Sequence, residues 1–128
     1  MATDRAYLMV QHRAGHALKV VDRALTSKDP VAYRRHARHL GPAILMNGLG
    51  QALATAAANK DSRQLYEDLR EWLGDACPWT HYRGAQDLIT AIAQGDRSTY
   101  MWATEESLAW LEWVKKLAVA RIAEEDRD

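Results

Sequence analysis

The side chains that could do chemistry in this sequence fall into a few groups. His12 and His16 stand at i and i+4, and His36 and His39 at i and i+3, spacings that let two imidazoles on one helix face a metal ion. Neither pair has a carboxylate or cysteine placed to complete a ligand set, so both read as exposed histidines on a basic face. Glu67, Asp68 and Glu71 could hold Mg²⁺ on one helix, as in all-helical nucleotide pyrophosphatases. Such a site needs a second acidic cluster opposite the first. Glu105-Glu106 is placed instead near a helix start, where the dipole favours carboxylates anyway. Trp79, His81, Tyr82 and Arg83 could stack on nucleotide bases or cover the end of a core. There is no G-x-x-x-x-G-K-[ST], H-E-x-x-H, G-x-S-x-G or paired C-x-x-C, and Gly48-Leu49-Gly50 is only the start of a dinucleotide fingerprint. The expectation is a chain with no catalytic residue, no metal and no cofactor.

The basic residues are more informative. At about 100° per residue, Arg5, His12, His16, Lys19 and Arg23 fall in one narrow stripe, roughly opposite the apolar face of the first helix. A second segment adds Arg34, Arg35, His36, Arg38 and His39 within six positions. Residues 1–40 hold eight Lys and Arg against three Asp and Glu, giving plus 5, and residues 41–128 hold nine against fourteen, giving minus 5. The zero net charge therefore excludes a uniformly basic binder and leaves room for a polarised one. Cations at helical steps with few acids among them can track a phosphate backbone, or they can meet an acidic patch on a protein partner. Lys115 and Lys116 are weaker candidates, because Glu112 lies within pairing distance on the same helix.

Helices must carry these groups. Of 128 residues 48% are hydrophobic and 27% charged, with seven Gly and three Pro, so the chain can bury a core as one domain over residues 1–128. The lone Cys77 builds neither a disulfide nor a cysteine zinc site. No apolar run approaches a membrane span and no signal-peptide core follows Met1, so a soluble cytoplasmic protein is expected. The first helix covers 3–27, with Tyr7, Val10, Ala14, Ala17, Leu18, Val21, Ala24 and Leu25 on its apolar face. Asp29-Pro30 starts a second helix ending near Leu40, and Gly41-Pro42 starts a third, a small-residue central helix to Lys60. Asn47-Gly48 is an alternative break. A fourth helix follows Asp61 or Ser62, burying Leu65, Leu69, Trp72, Leu73 and Ala76. Residues 74–84 are irregular, a short helix runs from Ala85 to Gln94, and the last runs from Arg97 or Thr104 to near Glu124, with Trp110, Leu111, Trp113, Val114, Leu117 and Ala118 buried. The fold class is all-α, a compact bundle of five to six helices.

The run Leu40-Gly41-Pro42-Ala43-Ile44 into Asn47-Gly48-Leu49-Gly50-Gln51-Ala52-Leu53-Ala54, followed by Leu65-Tyr66 and Trp72-Leu73, resembles the small-subunit family of the type III-B CRISPR Cmr effector complex. Tyr100-Met101-Trp102-Ala103-Thr104-Glu105-Glu106, then Leu108, Leu111, Glu112-Trp113 and Lys115-Lys116-Leu117-Ala118, is similar to that family's closing helix. Arg5-Ala6 and the long helix after it match the family's beginning. Met46 is a departure, standing where a basic or polar residue is expected. The resemblance implies an all-helical, non-catalytic subunit that stacks along a filament of RAMP-type backbone subunits and helps form the channel where guide RNA pairs with target RNA. Its partners would be the backbone subunit, the large subunit, its own copies, and guide and target RNA, with no membrane. Arg5, Lys19, Arg23, Arg34, Arg35 and Arg38 are the candidate RNA-backbone contacts. A helical adaptor that touches only protein is the alternative.

Overall fold

Aspartates begin three of the helices. Asp29 accepts from the Ala32 N–H at 3.0 Å, with Pro30 following it, while Asp87 and Asp96 accept from Thr90 and Thr99. The computed structural model describes the backbone of residues 2–124 and the side chains of residues 4–124. It contains α1 (Ala2–Leu25), α2 (Pro30–Asn47), α3 (Leu49–Ala58), α4 (Arg63–Glu71) continued by a π-helical turn (Trp72–Ala76), α5 (Leu88–Gln94) and α6 (Arg97–Arg121). The described residues form no strand, and none of their helices is long and apolar enough to cross a membrane.

The helix α6 is the spine. It runs parallel to α1, so that Arg13 meets Glu106, His16 meets Trp110 and Asp22 meets Arg121. It runs antiparallel to α2, whose beginning (Arg34) reaches Glu124 and whose end lies beside Tyr100. Fully buried Trp72 and Trp110, with Leu49, Leu53, Leu65, Leu69 and Leu73, fill the space enclosed by these helices.

The expected break at Gly41-Pro42 does not occur, and α2 passes straight through Pro42. Ala37, Leu40 and Ile44 stay in phase as a buried stripe across that point, so packing outweighs the hydrogen bond lost at proline. Pro42 and Arg38 are both exposed, so water can take the Arg38 carbonyl that the proline leaves free. The chain breaks instead at Gly48, in a conformation of φ 88° and ψ 156° that only glycine adopts readily, and a Cβ there would meet Tyr100 Oη at 3.2 Å. Tyr100 Oη accepts from the Gly50 N–H, supplying α3 with the acceptor that its glycine cap lacks.

The buried face of α1 also differs from expectation. Ala17, Val20, Val21 and Ala24 are buried, whereas Tyr7, Val10 and Leu25 are exposed. The inward face is rotated toward the basic stripe, so that stripe flanks the core and does not oppose it. Smaller departures follow local chemistry: Ala76 is exposed, α5 begins at Leu88 behind its Asp87 cap, and α6 begins at Arg97 behind Asp96. Trp113 is only half-buried, packed on the rim of the core. The segment after the π turn folds back on Gly74, where a Cβ would lie 3.0 Å from the Ala85 carbonyl, and Thr80 Oγ1 donates to the Leu73 carbonyl.

Candidate nucleic-acid interface

The stripe that the sequence presents as free for RNA is partly consumed inside the molecule. His16 is buried at 7% exposure, not exposed as its neighbours in sequence suggest. Trp110 Nε1 donates to its Nδ1 at 2.9 Å, so Nε2 carries the proton and donates to Glu71 at 2.8 Å. The imidazole is therefore neutral in this arrangement. Burial depresses its pKa and outweighs the opposing pull of the Glu71 carboxylate. Arg23 forms ion pairs with Glu71 and Asp68 at 3.2 Å each, and Lys19 Nζ stands 3.7 Å from Glu71. Burial alone would raise the Glu71 pKa, but the hydrogen bonds from His16 and Arg23 hold it below the usual carboxylate range.

Asp68 is not part of a solvated face. It is buried, accepting from Tyr33 Oη at 2.7 Å and Gln64 Nε2 at 2.8 Å, and burial raises its pKa. Burial likewise lifts the Tyr33 phenol well above its ordinary range. The carboxylates of Asp68 and Glu71 are thus committed to tyrosine, glutamine, histidine and arginine partners, which leaves the trio with Glu67 poorly suited to a magnesium ion. Among the described residues no three His, Cys, Asp or Glu side chains converge as metal ligands.

Glu106 lies in the third turn of α6, away from the helix start where a dipole role was expected. It is buried at 3% exposure. Arg13 Nε and Nη2 reach its two oxygens at 2.6 and 2.8 Å in a forked pair, and Trp79 Nε1 and Trp72 Nε1 donate at 2.9 and 3.2 Å. The hydrogen bond to Glu106 raises the Arg13 pKa further. Trp79 is held in place by this bond, with Arg13 over its ring at 5.4 Å. Tyr82 is buried against Trp102 and the Cys77 thiol is pushed up to about 11 by burial, so this loop does seal one end of the core.

Charge segregation along the chain is undone by folding. Of the cations in the first forty residues, Arg13, Lys19, Arg23 and Arg34 all pair with acids from the second part of the chain. Arg34 has a side chain only 11% exposed, and its Nη2 reaches Glu124 at 3.4 Å. Arg5, Arg35 and Arg38 are exposed, and none of them forms an ion pair among the described residues. Among the described residues the six candidates thus divide into three paired with carboxylates and three without such a pair. Arg35 and Arg38 stand on α2, and Arg38 lines a groove against α6 with Leu108 and Lys115. Arg5 stands on the first turns of α1, beside a second groove. Lys115 and Lys116 pair with Glu112 as their spacing predicts.

Sequence reasoning passed over Arg13 and placed Glu106 at a helix start. Glu106 carried a signal: Ala103, Trp110 and Val114 share its face at helical steps, which places a carboxylate on the buried side. Arg13 carried none, because its position among α1 polar residues looks like any exposed one.

The family model described as CRISPR-associated protein (Cas_Cmr5) matches residues 9–121. Among solved structures, a CRISPR-associated Cmr5 family protein from Thermus thermophilus superimposes with a TM-score of 0.77 at 30% sequence identity, over 89% of this chain and 97% of that one. No protein of curated function matches the sequence.

Proposed function

The chain belongs to the Cmr5 family of CRISPR-associated proteins, and we propose that it is the non-catalytic small subunit of a type III-B RNA-guided Cmr complex. In that role it stacks along the backbone filament and contacts guide and target RNA in antiviral defence. The observation that carries this reading is the family match across residues 9–121. The RNA contact is supported by Arg5, Arg35 and Arg38, cations left without carboxylate partners among the described residues. Lys19, Arg23 and Arg34, each paired with a carboxylate of this chain, are the weaker candidates for that contact. The mechanism is electrostatic and independent of sequence: the guide supplies specificity, and the subunit neutralises phosphates and fixes geometry. Partners are the RAMP-type backbone subunit, the large subunit, its own copies and the two RNAs.

Salt dependence tests the reading. In the reconstituted complex, Arg35→Ala with Arg38→Ala should make the log-log salt slope of target-RNA binding shallower by roughly 0.7 per lost phosphate contact. An unchanged slope with weakened subunit assembly would favour the protein-only adaptor, a reading that the internally paired Lys19, Arg23 and Arg34 make worth measuring.

A further inference from the structure

At the end of the bundle where α1 and α6 begin, a groove of about 340 Å³ opens between the first turns of α1, the 78–81 segment and α6. That volume falls within the roughly 300–1,000 Å³ of small-ligand sites. Its walls include Trp79, His81 and Trp102, with Arg5 and His12 on the α1 side and no aspartate or glutamate among the lining residues. We propose that this groove holds one unpaired nucleotide of single-stranded RNA, its base against the aromatic wall and its phosphate toward Arg5 and His12. The inference rests on the RNA-contacting reading of the chain and adds a base-stacking site to it.

Three features favour a nucleotide. The aromatic wall is set in place: Glu106 fixes the Trp79 indole nitrogen, and Trp102 packs against His81 with ring centroids 4.5 Å apart. The His81 and Trp102 rings are tilted by 58° to each other, so a base stacks on one ring face of this wall, without selection by sequence. The Trp102 indole N–H donates no hydrogen bond to the described residues and stands half-buried, so it remains available to a base or ribose oxygen. Arg5 is the charged side chain that lines the groove, beside apolar Leu8, Met9 and Pro78, and its cation complements a phosphate or an acidic peptide. Between the two anionic partners, the aromatic wall decides for RNA, because a planar base gains stacking that an aspartate or glutamate side chain does not.

The test uses the whole chain labelled with ¹⁵N, a single-stranded uridine pentamer, and a duplex of equal length. The five Trp indole signals report by position. The pentamer should move the Trp79 and Trp102 signals and leave fully buried Trp72 and Trp110 in place, while the duplex, whose bases are paired, should leave all of them unmoved. Trp102→Leu should weaken pentamer binding at least about fivefold, with Trp102→Phe intermediate. Arg5→Ala, at an exposed side chain, should also weaken it without touching the fold. Indole signals unmoved by millimolar pentamer, or pentamer affinity unchanged in Trp102→Leu and Arg5→Ala, overturns the site. If Trp102→Leu instead drops the folded subunit from the complex with pentamer affinity intact, the groove is a protein contact and the proposal is wrong. The reading it rests on fails separately, through an unchanged salt slope in the Arg35→Ala, Arg38→Ala complex.

Discussion

Replacing Glu106 with glutamine keeps its shape and removes its charge, and the consequences follow from its four bonds. Both carboxylate oxygens are taken: one accepts from Arg13 Nη2 and Trp79 Nε1, the other from Arg13 Nε and Trp72 Nε1. A carboxamide offers one acceptor oxygen, so its NH₂ must face two donors whichever way it turns. Breaking a buried ion pair from one side typically costs about 3–5 kcal/mol. Arg13 is 18% exposed at its side chain and can recruit some water, so the lower end applies, about 3 kcal/mol. A domain of this size has roughly 5–15 kcal/mol in total, and urea unfolding monitored by tryptophan fluorescence resolves such a loss easily. Replacing the pair together, with Arg13→Met and Glu106→Leu, should cost less than the sum of the single changes, because neither charge is then left alone. A Glu106→Gln loss below about 1 kcal/mol would refute the reasoning.

Other perturbations probe other parts of the fold. The depressed His16 pKa means that the unfolded chain binds the proton more readily, so stability should fall as pH drops below about 6.5 toward the lower folded value, by at most about 1.4 kcal/mol per pH unit. His16→Gln can still accept from Trp110 and donate to Glu71, so its stability should fall less over that window; equal slopes would show that His16 does not titrate there. Pro42→Ala should stabilise by about 1–3 kcal/mol, the restored helix hydrogen bond exceeding the smaller entropy gain of the unfolded chain, and a destabilised variant in urea titration would contradict the uninterrupted α2. Trp113→Ala should cost about 1–2 kcal/mol, short of the roughly 3–5 expected of a fully buried aromatic, and a loss above about 3 would place it in the core.

Helical content and the start of α2 at Asp29-Pro30 were legible in the sequence because a capping aspartate and apolar periodicity are local signals, whereas the α2–α3 boundary and the start of α5 were misplaced although Asp87 offered the same signal. Asp29, Asp87 and Asp96 each sit one residue before a helix that they cap. What the sequence did not show is set by tertiary contact. Pro42 reads as a break until the stripe from Ala37 to Ile44 is seen buried on both sides of it. The stripe of Arg5, His12, His16, Lys19 and Arg23 reads as one free face, yet His16, Lys19 and Arg23 all meet Glu71, and only the rotation of α1 decides that. The candidate site followed the same logic. Exposed cations could be recognised by residue type, but which of them are neutralised by acids forty-five to ninety-three positions away depends on how the helices dock.

The proposed contact between this subunit and RNA inside a Cmr assembly is tested most directly by a protein–RNA crosslinking map of the assembled complex. Crosslinks from this chain to guide or target RNA are expected in the peptides that carry Arg35 and Arg38. A complex that contains the subunit and cleaves target normally, with crosslinks in the backbone subunits and none in this chain, would contradict that contact.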